Sequence, residues 1–296
     1  MVSFKVVSAI VLLVALAVAA WVLPFETFDE EIVRGKHVLI TGASMGIGRA
    51  AALQYCQWGA HVVIVSRSES KLAAVVKECE LLGAASAHFV VADLSSTDDD
   101  FYRQVVNDSV NLMGGSLDTL ILNHMHPSSI LLEPNGWYEK RDVPLVREVM
   151  NTNFFSFLSL TFSSLDYLEA TKGKIIIVGS TTGRVGFHRS AAYSSSKHAL
   201  FGFYNSLRLD LTKAASGVSI STCMIGSIAT DSNVEMSAQV GLDAASYSPA
   251  DCARNIIVLG ELRHRDIYYP VHQTFIPRIV EAVFPWLMDQ IVLNQF

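Results

Sequence analysis

Ser180, Tyr193 and Lys197 have the side-chain types and the spacing to move a proton to or from an oxygen atom. Tyr193 and Lys197 stand four apart in Tyr193-Ser194-Ser195-Ser196-Lys197. The pattern continuing through Ala199, Leu200, Leu207 and Leu211 predicts a helix with both on one face. A free phenol titrates at about pH 10, so it exchanges protons poorly at neutrality until a nearby cation favours its phenolate. Lys197 supplies that cation, and Ser180, thirteen residues before Tyr193, supplies a hydroxyl for the reacting oxygen. Many amphipathic helices carry a Tyr-x-x-x-Lys by chance, so the chemistry depends on the elements that deliver these groups.

Those elements alternate short β-branched runs with longer helical patterns, the signature of a parallel sheet with crossover helices. The predicted strands are His37 to Ile40, His61 to Val65, Ala87 to Val91, Thr119 to Leu122, Lys174 to Val178, Ser219 to Met224 and Asp266 to Tyr269. They imply an α/β fold with a Rossmann-type, doubly wound parallel sheet of about seven strands. No linker, repeat or low-complexity segment divides the chain after residue 35, so residues 35–296 read as a single domain behind an N-terminal segment, 1–34.

The first strand runs into Thr41-Gly42-Ala43-Ser44-Met45-Gly46-Ile47-Gly48 and then into a helical pattern from Arg49 to Trp58. Glycines at a strand-to-helix turn let the backbone approach a pyrophosphate, and the helix N-terminus offers donors and partial positive charge, so the turn is a dinucleotide site. An NAD site would carry a carboxylate about twenty residues later. Here the sequence reads Val65-Ser66-Arg67-Ser68, and Arg67 is placed to pair with a 2'-phosphate, which favours NADP(H) over a reading as an ordinary surface arginine. Asp93, before Leu94, is placed to accept from an adenine amino group or to cap the next helix, and the two roles are compatible. Asn123-His124-Met125-His126 closes the fourth strand, and two histidines without a third ligand do not make a metal site. Asn153, among Phe154, Phe155 and Phe157, is either a structural clip or the holder of an ordered water.

The composition, 51% hydrophobic and 17% charged, suits a large core and excludes disorder. Net charge of -6, with no basic cluster, argues against a nucleic-acid partner. Val6 to Leu23 is an almost unbroken apolar run whose eighteen residues would span about 27 Å as a helix, close to a bilayer's hydrocarbon thickness. It reads as a membrane anchor, with a cleaved signal peptide as the alternative. Asn107-Asp108-Ser109 forms a glycosylation sequence usable only in a lumen. Cys56, Cys79, Cys223 and Cys252 fit no metal or redox spacing and read as buried free thiols. Two variable stretches are candidates to contact substrate. One runs from Asp231 to Ser248, suited to a lid; the other is the apolar tail from Phe275 to Phe296, which could bury in the core, pack on a partner subunit or dip into a membrane.

The glycine turn, Asn153, Ser180 and the Tyr193–Lys197 pair, in this order and spacing, resemble the short-chain dehydrogenase/reductase family over nearly everything from Gly35 to about Tyr269. Gly83 to His88, Leu112 to Gly115, Leu120 to His124, Ala191 to Lys197 and the N-terminal apolar run are similar to the family's 11β-hydroxysteroid dehydrogenase branch. The resemblance implies a dimeric enzyme of the endoplasmic-reticulum membrane, its catalytic domain lumenal, using NADP(H) on a steroid or another lipophilic carbonyl. It implies that Ser180 positions the substrate oxygen, Tyr193 transfers the proton, Lys197 assists and holds the nicotinamide ribose, and Asn153 anchors a water. It further assigns Gly42, Ser44, Met45, Gly46, Ile47, Gly48, Arg67, Asp93, Leu94, Asn123, His124, Gly226, Ile228 and Thr230 to the cofactor. Met45 stands where that branch carries a lysine, which weakens the NADP(H) preference, and Ile225-Gly226 stands where many members have Pro-Gly. Retinoids, fatty ketones and xenobiotic carbonyls are alternative substrates; a non-catalytic lipid binder is the alternative outside enzymes.

Overall fold

The computed structural model describes residues 28–127, 137–231, 233–235 and 247–294. The apolar run Val6 to Leu23 and most of the Asp231 to Ser248 stretch lie outside them. Among the described residues no helix is long and apolar enough to cross a membrane.

Seven strands form one parallel sheet: β1 (His37–Thr41), β2 (His61–Ser66), β3 (Ser86–Val91), β4 (Thr119–Leu122), β5 (Lys174–Val178), β6 (Ser219–Ile225) and β7 (Asp266–Tyr269). Their order is β3-β2-β1-β4-β5-β6-β7, so the winding reverses between β1 and β4, where ligands of open α/β sheets bind beyond the strands' carboxyl ends. The inner strands are buried on both faces, which is why they read as continuous β-branched runs rather than alternating ones.

Helices α1 (Gly46–Gln57), α2 (Glu69–Leu82) and α7 (Pro249–Glu261) cover one face. The other is covered by α3 (Asp99–Leu112), α5 (Ser156–Thr171) and α6 (Ala191–Lys213). Alternate strand residues divide between them, Val38 and Ile40 facing the first set and Leu39 the second. Helix α4 (Val143–Met150) leads into α5 through one π-helical turn, Asn151–Phe155. At the amino edge of the sheet, Glu261 is nearly fully buried and accepts from Tyr55 Oη at 2.8 Å and Thr119 Oγ1 at 3.1 Å, while Lys174 Nζ pairs with it at 2.7 Å. This node joins α1, β4, β5 and α7 far from the carboxyl edge.

The tail forms α8 (Val271–Val283) and α9 (Pro285–Leu293). Its inner side, Val280, Met288 and Val292, packs on Val185 and Phe187. Its outer side leaves Ile276, Val283, Phe284, Trp286 and Leu293 half or more exposed, so the tail is not wholly absorbed into this chain's core.

One expectation is corrected. Cys56 and Cys79 are not free thiols: they form a disulfide, with Cα atoms 5.2 Å apart, while Cys223 and Cys252 are free and buried. The pair lies 23 residues apart on α1 and α2, which meet only because both pack on the same sheet face.

Candidate active site

The carboxyl edge of β5 delivers Ser180, whose extended backbone ends the strand and whose hydroxyl accepts from Thr182 N at 3.2 Å, starting a tight turn at Thr181–Gly183. Helix α6 begins at Ala191, putting Tyr193 in its first turn and Lys197 one turn later on the same side. Burial raises the Tyr193 phenol above its ordinary pKa of 10.0, opposed by a hydrogen bond to the Ser180 side chain. Lys197 is buried, its ammonium donating to Val178 O at 3.1 Å and lying 5.6 Å from the centre of the Tyr193 ring. That burial lowers its pKa from 10.5 to about 8. The arrangement is a phenol held by a hydroxyl, with a cation close behind it.

Asn153 sits in the π-helical turn and is fully buried. Such turns widen a helix locally and recur at functional sites. The Asn153 Nδ2 donates to Ser196 Oγ at 3.1 Å and its Oδ1 accepts from His126 N at 2.7 Å, so it clips the β4 loop to α6. Ser196 Oγ in turn donates to the Tyr193 carbonyl at 2.7 Å. Of the two roles open to Asn153, the structure displays the clip.

The glycine turn occupies the carboxyl edge of β1. Gly42 and Gly46 have φ of +66° and +58°, which side-chain-bearing residues adopt at a cost. At Gly48 a Cβ would come within 2.5 Å of Asn123 Nδ2. Met45 occupies the N-cap of α1 and caps nothing with its side chain, leaving the first-turn N–H groups open to an anion. Ser44 Oγ accepts from Ser66 Oγ at 2.9 Å, tying the turn to β2. Arg67, just beyond, is exposed and makes no ion pair among the described residues. Open donors at a glycine turn and an unpaired cation beside it fit a phosphorylated dinucleotide.

Gly226, Ile228 and Thr230 approach from β6. The Thr230 methyl lies 3.1 Å from where a Gly46 Cβ would stand, so this segment closes over the turn. Buried Ile228 bridges to Tyr247, and Gly226 lies against Gln273, whose Oε1 accepts from Ser227 N at 2.9 Å.

Asn123 and His124 have their side chains spent inside the protein. Asn123 Nδ2 donates to the carbonyls of Thr41 and Gly42, at 3.3 and 3.1 Å, bracing the turn from below. His124 is buried, with Nδ1 2.8 Å from Thr41 Oγ1 and Nε2 2.7 Å from Ser156 Oγ. Ser156 Oγ donates to Thr152 O, so the Nε2–H tautomer fits, with Nε2 donating to Ser156 Oγ. Burial, then the charge of Lys197, lowers its pKa to about 3, so it is neutral at physiological pH. Asp93 Oδ1 accepts from Ser95 N at 3.1 Å; α3 is capped instead by Asp98, which removes one of the two roles set out for Asp93. Buried Leu94 gives its carbonyl to Tyr102 Oη at 3.0 Å. Sequence reasoning missed Ser196 and Ser156, which have no pattern of their own, and Asn151, which clamps the β3 loop through Ser95 O at 2.6 Å. Among the described residues no three His, Cys, Asp or Glu side chains converge as metal ligands.

A doubly wound sheet with a serine, a tyrosine and a lysine converging beside an open glycine turn defines a dinucleotide-dependent oxidoreductase architecture. Residues 36–241 match the family described as short chain dehydrogenase, and the chain belongs to that family. It is 35% identical over 270 residues to hydroxysteroid 11-beta-dehydrogenase 1-like protein A of Xenopus laevis, covering 91% of this chain and 89% of that one. It is 37% identical over 268 residues to a hydroxysteroid 11-beta-dehydrogenase 1-like protein of Gallus gallus, covering 88% and 90%. The fold is also that of a short chain dehydrogenase of Escherichia coli complexed with NADPH, with a TM-score of 0.70 at 22% identity over 81% of this chain and 98% of that one.

Proposed function

We propose that the protein is an NADP(H)-dependent oxidoreductase that interconverts a hydroxyl and a carbonyl on a lipophilic substrate, and that the substrate is a steroid. The observation that carries the reading is the convergence of Ser180, Tyr193 and buried Lys197 at the sheet edge that also holds the uncapped glycine turn. The dinucleotide, when bound, supplies or accepts the hydride. Ser180 positions the substrate oxygen, and Tyr193 gives its phenolic proton to that oxygen in reduction or takes it in oxidation. Lys197 stabilises the resulting phenolate, while Asn153 and Ser196 fix the start of α6. Gly42, Gly46 and Gly48 admit the pyrophosphate, and Arg67 pairs with the 2'-phosphate.

The steroid assignment draws on the names of the relatives. Purified protein should oxidise NADPH when given an 11-oxosteroid, and Tyr193→Phe should abolish turnover. Activity surviving in that variant would remove Tyr193 as the acid. A panel of retinoid, fatty and xenobiotic ketones compares the substrate classes directly.

The reading extends to setting. The sequence run from Val6 to Leu23 supports membrane anchorage, and the resemblance to the 11β-hydroxysteroid dehydrogenase branch is what supports the endoplasmic reticulum and a lumenal domain. Homodimerisation is supported by the aromatic cluster of the π-helical turn, α5 and α6, where Phe154 and Phe203 lie 6.0 Å apart, Phe162 and Phe203 6.1 Å apart, and Phe155 and Phe162 are half exposed.

A further inference from the structure

The Cys56–Cys79 bond lies outside the chemistry above and rests on geometry alone. Cys56 is the penultimate residue of α1 and Cys79 lies near the end of α2. Their Cα separation of 5.2 Å falls within the range a disulfide spans without moving the backbone. Both are essentially without exposure, and both belong to the hydrophobic layer that α1 and α2 share over the sheet. Once folded, such a bond is out of reach of soluble reductants. Cys223 and Cys252 are equally buried in the same layer yet remain free, so packing density does not by itself bring two sulfurs together.

We propose that Cys56–Cys79 is a permanent covalent staple of the dinucleotide-binding half, set during folding in an oxidising compartment. Each cysteine loses its proton and one electron as the sulfur–sulfur bond forms. The two electrons and two protons pass to an oxidised disulfide-exchange partner, a protein disulfide that becomes a dithiol or glutathione disulfide that becomes two glutathione thiols. Buried disulfides of this kind persist in the secretory pathway and are rare in the cytosol. The bond therefore states on which side of the membrane the domain folds. It also restricts the unfolded chain, since it closes a loop of 23 residues.

The native Asn107 sequence does not report that side, because Ser109 is fully buried in α3 and Asn107 Oδ1 accepts from Tyr167 Oη at 3.0 Å. Gly114 is a better position. It is exposed, has φ of +80° and has no atom within 4 Å of a built Cβ. Gly114→Asn completes an Asn-x-Ser sequence with Gly115 and Ser116, and asparagine tolerates the left-handed conformation.

The test uses the full chain in membranes, quenched in acid and alkylated in denaturant. Without reductant, Cys223 and Cys252 should be alkylated and Cys56 and Cys79 recovered as one cross-linked peptide pair. Alkylation of all four overturns the staple. In Gly114→Asn protein a glycosidase-sensitive mobility shift is expected; its absence overturns the assignment to an oxidising lumen, whatever the thiols show. When reductant is admitted to the unfolded chain in denaturant and kept present through refolding, the melting midpoint of wild-type protein should fall by roughly 5–10 °C, and that of Cys56→Ala/Cys79→Ala should not respond to the same treatment. A wild-type midpoint indifferent to reductant overturns the stabilising role. None of these readouts depends on turnover, so they stand or fall apart from the catalytic reading.

Discussion

Lys197 and His124 are two buried nitrogen bases on the same side of the site, and the protein treats them oppositely. The ammonium of Lys197 is retained at neutrality, although burial brings its pKa from 10.5 down to about 8. The unfolded chain therefore holds a proton that the folded chain releases between about pH 8 and 10.5, so this group's contribution to stability rises with pH across that window. The cost of burying the ammonium is fully present below it. Melts of Lys197→Met should lack that rise. His124 is kept neutral, its pKa lowered from 6.5 to about 3, so its contribution is intact above pH 6.5 and declines as pH falls toward 3. His124→Gln, able to hydrogen-bond at both ends, should flatten that acid limb in a series of thermal melts; an unchanged limb would assign the sensitivity elsewhere. Arg67→Ala should raise KM for NADPH about 10- to 100-fold with little change for NADH, the amount one or two charge-assisted hydrogen bonds provide. Equal loss for both cofactors would remove its link to the 2'-phosphate. At this scale the sequence displayed Ser180, Tyr193 and Lys197 because their spacing along one strand end and one helix is local. The braces behind them, Asn123 on Gly42 and Ser156 on His124, depend on contacts between segments 81 and 32 residues apart and leave no local pattern.

Among the elements, α1 stands out because it is held by several unlike devices: the braced glycine turn at its start, the disulfide near its end, and Tyr55 bonded to Glu261 between them. Glu261→Ala should cost about 3–5 kcal/mol in denaturant unfolding, since it leaves the Lys174 ammonium unpaired in a buried setting. Cofactor affinity in the surviving folded protein should be nearly unchanged, because the node lies at the other end of the strands. Every strand was legible to within a residue or two, since two-sided burial writes a strand as a short β-branched run bounded by loop residues. The start of α1 was read at Arg49 but lies at Gly46, because glycines that score as turn formers here supply the first helical turn. The π-helical turn at Asn151–Phe155 was not legible: it adds no residue type that a regular helix would refuse. The disulfide was hidden for a related reason, its two halves belonging to helices whose adjacency is tertiary.

For the whole molecule, the exposed aromatic cluster on the π-helical turn, α5 and α6 leads to a definite outcome. Phe155→Glu combined with Phe162→Glu should convert a dimer to a monomer in light scattering while leaving the melting midpoint within a few degrees, because both rings already face solvent in the single chain. A dimer that persists would place the interface elsewhere. The tail carries a different lesson, one for protein engineering. Its apolar outer face invites removal of α9 to improve handling of the purified protein. The inner face of that helix, however, covers Val185 and Phe187, which lie on the segment between Ser180 and Tyr193. Trimming the chain after Val283 would thus improve solubility at the expense of the catalytic loop, and the loss should register in kcat before it registers in the melting curve.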